Sequence, residues 1–282
     1  MHNKKACFFK DIFFRINDDD IFALSSQLAY ALLVSFFPFL IFLMTILGML
    51  PLDSNEVLIF LQKILPNSAF DLVENTVLDV LDSSKINLLS ISILITLWTS
   101  SRGFRAVIKG LNRAYDERER RSFIKVQLIS IFCTIAIIFI ILFSFLAQIF
   151  TQQLRIFSLK YLKNDNFFNF TSNLSTYIIL IISLFFIFAF IYKATPSRKI
   201  KWKSVIIGSL FSTLGWILSS YLFSFYVNNF GNYSSVYGGI ASLFILLSWL
   251  YISSFIVILG GEVNATFTFI KEGKTKPKCK RF

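Results

Sequence analysis

The chain has 282 residues, of which 55% are apolar and 16% charged, and its mean hydropathy is +0.67; an ordinary soluble domain is about 45–50% apolar with glycine counted in and about 25% charged. One water-facing core cannot hide that much apolar surface, and 35 Phe with 10 Tyr exclude an open, solvated chain. The remaining class is an all-α polytopic membrane helix bundle. A net charge of +12 would point to nucleic acid in a soluble protein, but in a membrane protein Lys and Arg are first of all topology signals.

Residues 1–20 form a leader that is expected to be retained. Asp18, Asp19 and Asp20 precede an apolar run too long for a signal-peptide core. The first candidate span is uncharged from Ile21 to Leu52. Within it Gln27, Tyr30, Ser35 and Pro38 keep roughly to one side of a helix, which is expected to face protein rather than lipid. Pro38 removes a helical hydrogen bond and is expected to kink the span, with neighbours such as Ser35 compensating the freed carbonyl. Such a kink either lines a cavity or serves packing alone.

Residues 51–85, the first outer loop, carry six acids against two lysines. Asp53-x-x-Glu56 and Ser68-x-x-Asp71 resemble helix caps, and Phe70, Val73, Val77 and Leu81 recur at helical spacing. The pattern predicts two short amphipathic helices, read either as a packed lid or as a binding surface. The second span, Ile86 to Ser101, is short; it either uses Lys85 and Arg102 as snorkelling ends or crosses only part of the layer.

The basic stretch 102–125 is predicted to be an inner helix with Asn112, Arg113 and Tyr115, followed by the charged run Asp116 to Arg121. Part of it is expected to lie along anionic lipid, where each basic residue gains about 1 kcal/mol. Three further spans run from Val126 to Leu154, Leu174 to Tyr192 and Ser204 to Val227. The last of these carries Gly208, Ser212, Gly215 and Ser219, the small-residue spacing that lets helices pack closely. The sixth span, Gly238 to Gly261, ends in Gly260-Gly261-Glu262-x-Asn264. Glu262 needs a partner, and Arg102 and Arg105 are expected to supply it, as a structural ion pair or as a gate or headgroup site. The membrane domain so defined covers 21–265, with a basic tail over 266–282.

With the N-terminus inside, 23 of the 28 Lys and Arg fall on the inner side and 5 outside, so six transmembrane helices with both termini cytoplasmic are expected. No span has an ionisable residue near its centre, which argues against a proton-relay pump and leaves Gln27, Tyr30 and Tyr251 as buried polar contacts. Cys7, Cys133 and Cys279 show no pairing motif and His2 is the single histidine, so neither a disulfide framework nor a metal site is supported, and no cofactor is implied.

Three segments together resemble the YihY/BrkB family of bacterial inner-membrane proteins, once labelled ribonuclease BN. They are Leu28-Ala29-Tyr30-Ala31-Leu32-Leu33-Val34-Ser35-Phe36-Phe37-Pro38; Arg105-x6-Asn112-Arg113-Ala114-Tyr115 with Arg121-Ser122-Phe123; and Tyr237-Gly238-Gly239 leading to Ser248-Trp249-Leu250-Tyr251 and Leu259-Gly260-Gly261-Glu262-Val263-Asn264-Ala265. Gly261 departs from the pattern, which would have Ala. The resemblance implies a six-helix bacterial plasma-membrane protein and associations with virulence and envelope-lipid export. The ribonuclease label does not fit: metal-dependent RNA cleavage needs clustered His or carboxylate ligands, and His2 with the Asp116-Glu117 pair does not build them.

The expected function is that of a transporter or flippase-like protein for an amphipathic or lipid-derived solute, with a cavity between the first, second and sixth spans. Its candidate cavity or gate residues are Gln27, Tyr30, Ser35, Pro38, Arg102, Arg105, Asn112, Tyr251, Glu262 and Asn264. The alternative is a non-transporting scaffold for envelope assembly. Expected partners are membrane lipids, a lipid-like substrate, and a second copy or an envelope protein, with no specific nucleic acid.

Overall fold

The computed structural model describes residues 12–47, 58–59, 62, 70, 86–162, 165–230 and 240–272. Among them every regular element is helical: α1 (12–18), α2 (Ile21–Leu47), α3 (Ile86–Ala114), α4 (Phe123–Leu162), α5 (Asp165–Ala194), α6 (Trp202–Phe230) and α7 (Ile240–Lys271). Among the described residues four helices contain stretches long and apolar enough to cross a membrane: Phe123–Ala147, Tyr177–Ala194, Trp202–Val227 and Leu243–Lys271. Helix α2, 27 residues long, is apolar over Ile21–Phe36. Only 22–39% of the residues in the four long stretches are buried inside the protein. Phe139, Phe143, Leu214 and Leu218 point outward, a distribution that lipid tolerates and water does not.

Each long helix packs against the next in the chain, and α7 returns to α2 while also touching α3. The core lies where α2, α3, α5 and α7 meet, around Leu28, Val107, Leu111, Phe188, Tyr192 and Ile258. A second cluster of Ala29, Leu246, Trp249 and Leu250 joins α2 to α7. Among the described residues these two clusters pack α2 against α3 and α7.

Helix continuity differs from the sequence expectation at α3 and α4. The short second span and the inner helix after Arg102 are one element, since α3 runs 29 residues without a break; the change of composition marks a change of surroundings, not of backbone. Helix α4 has 40 residues, about 60 Å at 1.5 Å per residue and twice the hydrocarbon thickness. Helix α2 continues through Pro38 to Leu47. The Ser35 hydroxyl donates to the carbonyls of Ala31 and Leu32 at 2.9 and 3.1 Å, not to that of Val34, the acceptor that a proline at 38 leaves unused.

Helix ends follow local chemistry. Asp116 closes α3 with φ 55°, while Asp116 N–H donates to the Arg113 carbonyl and Glu117 N–H to that of Asn112 at 2.9 Å, a Schellman arrangement with Asp in the left-handed position. Pro196 follows the end of α5 at Ala194, where it can donate no further helical bond.

Small residues let α6 approach α7. A Cβ at Gly208 would collide with the Gly260 carbonyl and the Asn264 amide, and Ser212 bonds Tyr192. A Cβ at Gly215 would make only ordinary contact with Ile256, and Ser219 donates to the Trp216 carbonyl of its own helix. The outer loop, apart from residues 58–59, 62 and 70, and the tail beyond 272 lie outside the described residues.

Candidate functional site

The helix ends at the basic end of the bundle form two charged arrangements. The first is buried. Arg15, on α1, is 4% exposed and its Nη1 donates to Glu262 Oε2 and to the Ala114 carbonyl, both at 2.9 Å. Its guanidinium lies 4.9 Å from the Phe269 ring centroid, and Asp116 stands 3.9 Å from Nη2. Glu262 is 1% exposed. A short leader helix thus clamps the end of α3 to α7, and Arg113 holds the leader in place through Asp19 and Asp20.

This corrects the expected pairing of Glu262 with Arg102 or Arg105. Gly261 abuts Leu111 and Gly110 abuts Ile258, so Glu262 is level with the last turn of α3. Arg105 lies about 10 Å back along the helix, near two turns away, and Arg102 lies further still. Arg102 is exposed. Arg105 donates to Gln127 Oε1 on α4 at 3.1 Å and lies 5.5 Å from the Phe123 ring centroid.

The second arrangement is open. Arg102, Arg105, Lys109 and Arg113 follow at steps of three, four and four, which places them on one face of α3 over about 16 Å of its length. Lys109 donates to Gln27 Oε1 of α2 at 3.1 Å, and Gln127 donates to Ser101 at 2.8 Å. Gln27 and Tyr30, expected to face protein, are exposed, Tyr30 at 68%. Gln27 meets Lys109 on the cationic face of α3, whereas the apolar Leu28 and Ala29 turn inward and Tyr30 projects from the bundle. A cavity of about 800 Å³ opens beside this stripe, lined by Arg105, Lys109, Asn112 and Arg113 of α3, by Asp18 and Asp19 of the leader and by the loop from Asp116 to Arg120, so that acids and bases both face it.

Asn112 fastens the loops around that cavity. Its Oδ1 accepts from Ser197 N–H at 2.8 Å and Ser197 Oγ at 3.0 Å, and its Nδ2 donates to Glu119 at 2.8 Å. Hydrogen bonds from Arg121, at 2.6 and 2.8 Å, hold the Glu119 carboxyl down at about 2. Arg198 pairs with Glu272 just beyond α7, which raises the guanidinium pKa. Burial pushes the Tyr115 phenol up.

The remaining candidates serve packing. Asn264 is buried and accepts from Gly208 N–H at 2.7 Å, Tyr251 is half-buried against the Leu246 cluster, and Ser35 is buried beside Gly103. Pro38 is half-buried on α2. The structure brings together Asn112 with Ser197, Arg105 with Gln127, and Gln27 with Lys109; it keeps Glu262 apart from all of them. Arg15 was missed because the leader reads as a tail. Its signal is a lone cation between Ile12, Phe14 and Ile16, directly before the three aspartates. Among the described residues no group of three or more His, Cys, Asp or Glu could hold a metal ion.

A family model described as virulence factor BrkB matches residues 12–281. YfkH of Bacillus subtilis (strain 168), described as ribonuclease-like, is 38% identical over 258 residues, covering 92% of this chain and 94% of its own. A UPF0761 membrane protein of Psychromonas ingrahamii is 24% identical over 95% of this chain and 90% of its own, and one of Glaesserella parasuis is 30% identical over 38% of each. No solved structure matches the chain.

Proposed function

Because the chain belongs to the BrkB virulence factor family of membrane proteins, we propose that it is a six-span protein of the bacterial plasma membrane, with both termini cytoplasmic, that moves an amphipathic or lipid-derived solute. The observation that carries this reading is the cationic stripe on α3 with its flanking Gln27. A polar face about 16 Å long, set between apolar helices, offers a headgroup a route into the leaflet while acyl chains stay in lipid. The route runs along the outside of the bundle between α2 and α4. Arg102, Arg105 and Lys109 at helical spacing suit a phosphate-bearing headgroup, while Arg113 is engaged by Asp19 and Asp20.

Chemistry on the substrate is not part of this reading. The donor sets near the groove, carboxylates engaged by Arg113 and Arg121, lack the clustered ligands that hydrolysis of RNA would use. We therefore read the chain as a non-enzyme, whatever YfkH's description implies for that protein.

Reconstitution into vesicles tests the proposal. Wild-type protein should accelerate the movement of labelled envelope phospholipid between leaflets, and the double substitution Arg105→Ala with Lys109→Ala should slow it about tenfold or more, the effect of losing two charge-assisted contacts. Wild-type protein inert toward a panel of envelope lipids would contradict it.

A further inference from the structure

A second cavity lies at the same end and shares the wall of Glu117, Arg118 and Arg120 with the cavity beside the α3 stripe. It has a volume of about 720 Å³ and is lined by Arg118, Arg120, Arg121, Lys125, Ser122, Ser197 and Glu117. Four cations therefore face one carboxylate. Arg121 is fixed in place: it bonds Glu119 and donates from Nη2 to the Thr195 carbonyl at 2.9 Å, which joins the loop after α3 to the loop after α5. Ser197, on the far wall, is fixed by Asn112. Arg120 and Lys125 are exposed. The polar walls are held by neighbours while two long basic side chains remain at the mouth.

Apolar residues adjoin these charges. Phe123 and Ile124 are 65% and 69% exposed and stand directly before Lys125, at the head of the apolar stretch Phe123–Ala147. Fixed cations and hydroxyls beside outward-facing apolar side chains match one kind of molecule: a phosphate attached to acyl chains.

We propose that this cavity seats the phosphate of an anionic phospholipid headgroup, with Arg120 and Lys125 contacting the phosphate, Ser122 donating a hydrogen bond to it, and Phe123 and Ile124 lying along the acyl chains. The site is a resident lipid anchor at the mouth of α4. It does not depend on transport, and it assigns a function to Arg120 and Lys125 at the mouth, beside the Arg121 that fastens the loops.

The test uses the full-length protein purified in detergent, delipidated, and titrated with dioleoylphosphatidylglycerol or dioleoylphosphatidylcholine while bound lipid is counted by native mass spectrometry. The phosphatidylglycerol should bind at least about tenfold more tightly than the phosphatidylcholine, and Arg120→Gln with Lys125→Gln should remove that preference. Lys201→Gln, an exposed cation outside the cavity, should leave it intact. Should the double variant prove unstable, Arg120→Gln alone should weaken phosphatidylglycerol several-fold, the loss of one surface charge. Equal binding of the two lipids, or an unchanged preference in the double variant, would overturn the assignment. So would displacement of the bound lipid by millimolar inorganic phosphate, which would mark the cavity as a free-phosphate site. Lys125→Gln alone, which lies outside the cavity beside the stripe, separates the two sites: it should weaken phosphatidylglycerol and leave transport unchanged.

Discussion

Arg15 and Arg105 sit at the same end of the bundle, and each lies over an aromatic ring, Phe269 and Phe123. Their surroundings differ in what answers the charge. Arg15 is enclosed and met by a carboxylate and a backbone carbonyl, so its charge is used up inside the protein. Arg105 is half-buried and met by the neutral amide of Gln127, with Lys109 next along the face. A guanidinium neutralised by a buried carboxylate acts as a fastener. One oriented by a neutral partner keeps its charge available to an anion from outside.

The largest effect that could break this comparison lies at the fastener. Removing one partner strands a buried charge, so Glu262→Ala or Arg15→Ala should each destabilise the protein by about 3–5 kcal/mol. Replacing both, Arg15→Met with Glu262→Leu, should recover most of the loss. Thermal unfolding in detergent checks this, and a neutral single substitution would show that the pair does not hold α1 to α7.

Next comes the α6–α7 contact. Gly208→Val should cost about 1–3 kcal/mol by overpacking against Gly260 and Asn264, whereas Gly215→Ala, facing only Ile256 at 3.5 Å, should be nearly neutral. Equal effects at the two glycines would place the close approach elsewhere.

Asn112→Ala removes the acceptor for Ser197 and the donor to Glu119. It should cost about 1–3 kcal/mol and speed proteolysis of the loop between α3 and α4. The smallest effect concerns Glu119. Because its carboxyl is held at about 2 in the folded protein, its contribution is present above pH 4.5 and is lost as pH falls from 4.5 towards 2. Wild type and Glu119→Gln should therefore differ by a constant amount, within about 1 kcal/mol, from pH 8 to 5, and converge below that range.

Much of the helical architecture is legible in the sequence, because uncharged runs of about 20 residues have few alternatives to a helix. Hydropathy stops at Arg102, while the α3 backbone continues to Ala114; the method reads solvent preference and cannot register a helix passing from lipid into water. The site was harder. Small-residue spacing put Gly208 against a neighbour without saying which helix it would be. Gln27 and Tyr30 share a side of α2, but helical spacing cannot say whether that side meets a core or another polar face. Glu262 signalled a partner, and Arg15, about 250 positions away in sequence, supplied it through a tertiary contact that no local pattern encodes.

The claim that the α3 stripe is open while the clasp is shut is tested most directly by thiol labelling. Single substitutions Lys109→Cys and Ala265→Cys, the second at a fully buried position beside the clasp, in a background with Cys7 and Cys279 changed to Ser and Cys133 buried, would be exposed in vesicles to a membrane-impermeant maleimide from the side of the clasp. The account predicts rapid labelling at 109, slowed by phosphate-bearing lipid, and protection at 265. Protection at 109, or equal labelling at both positions, would contradict it.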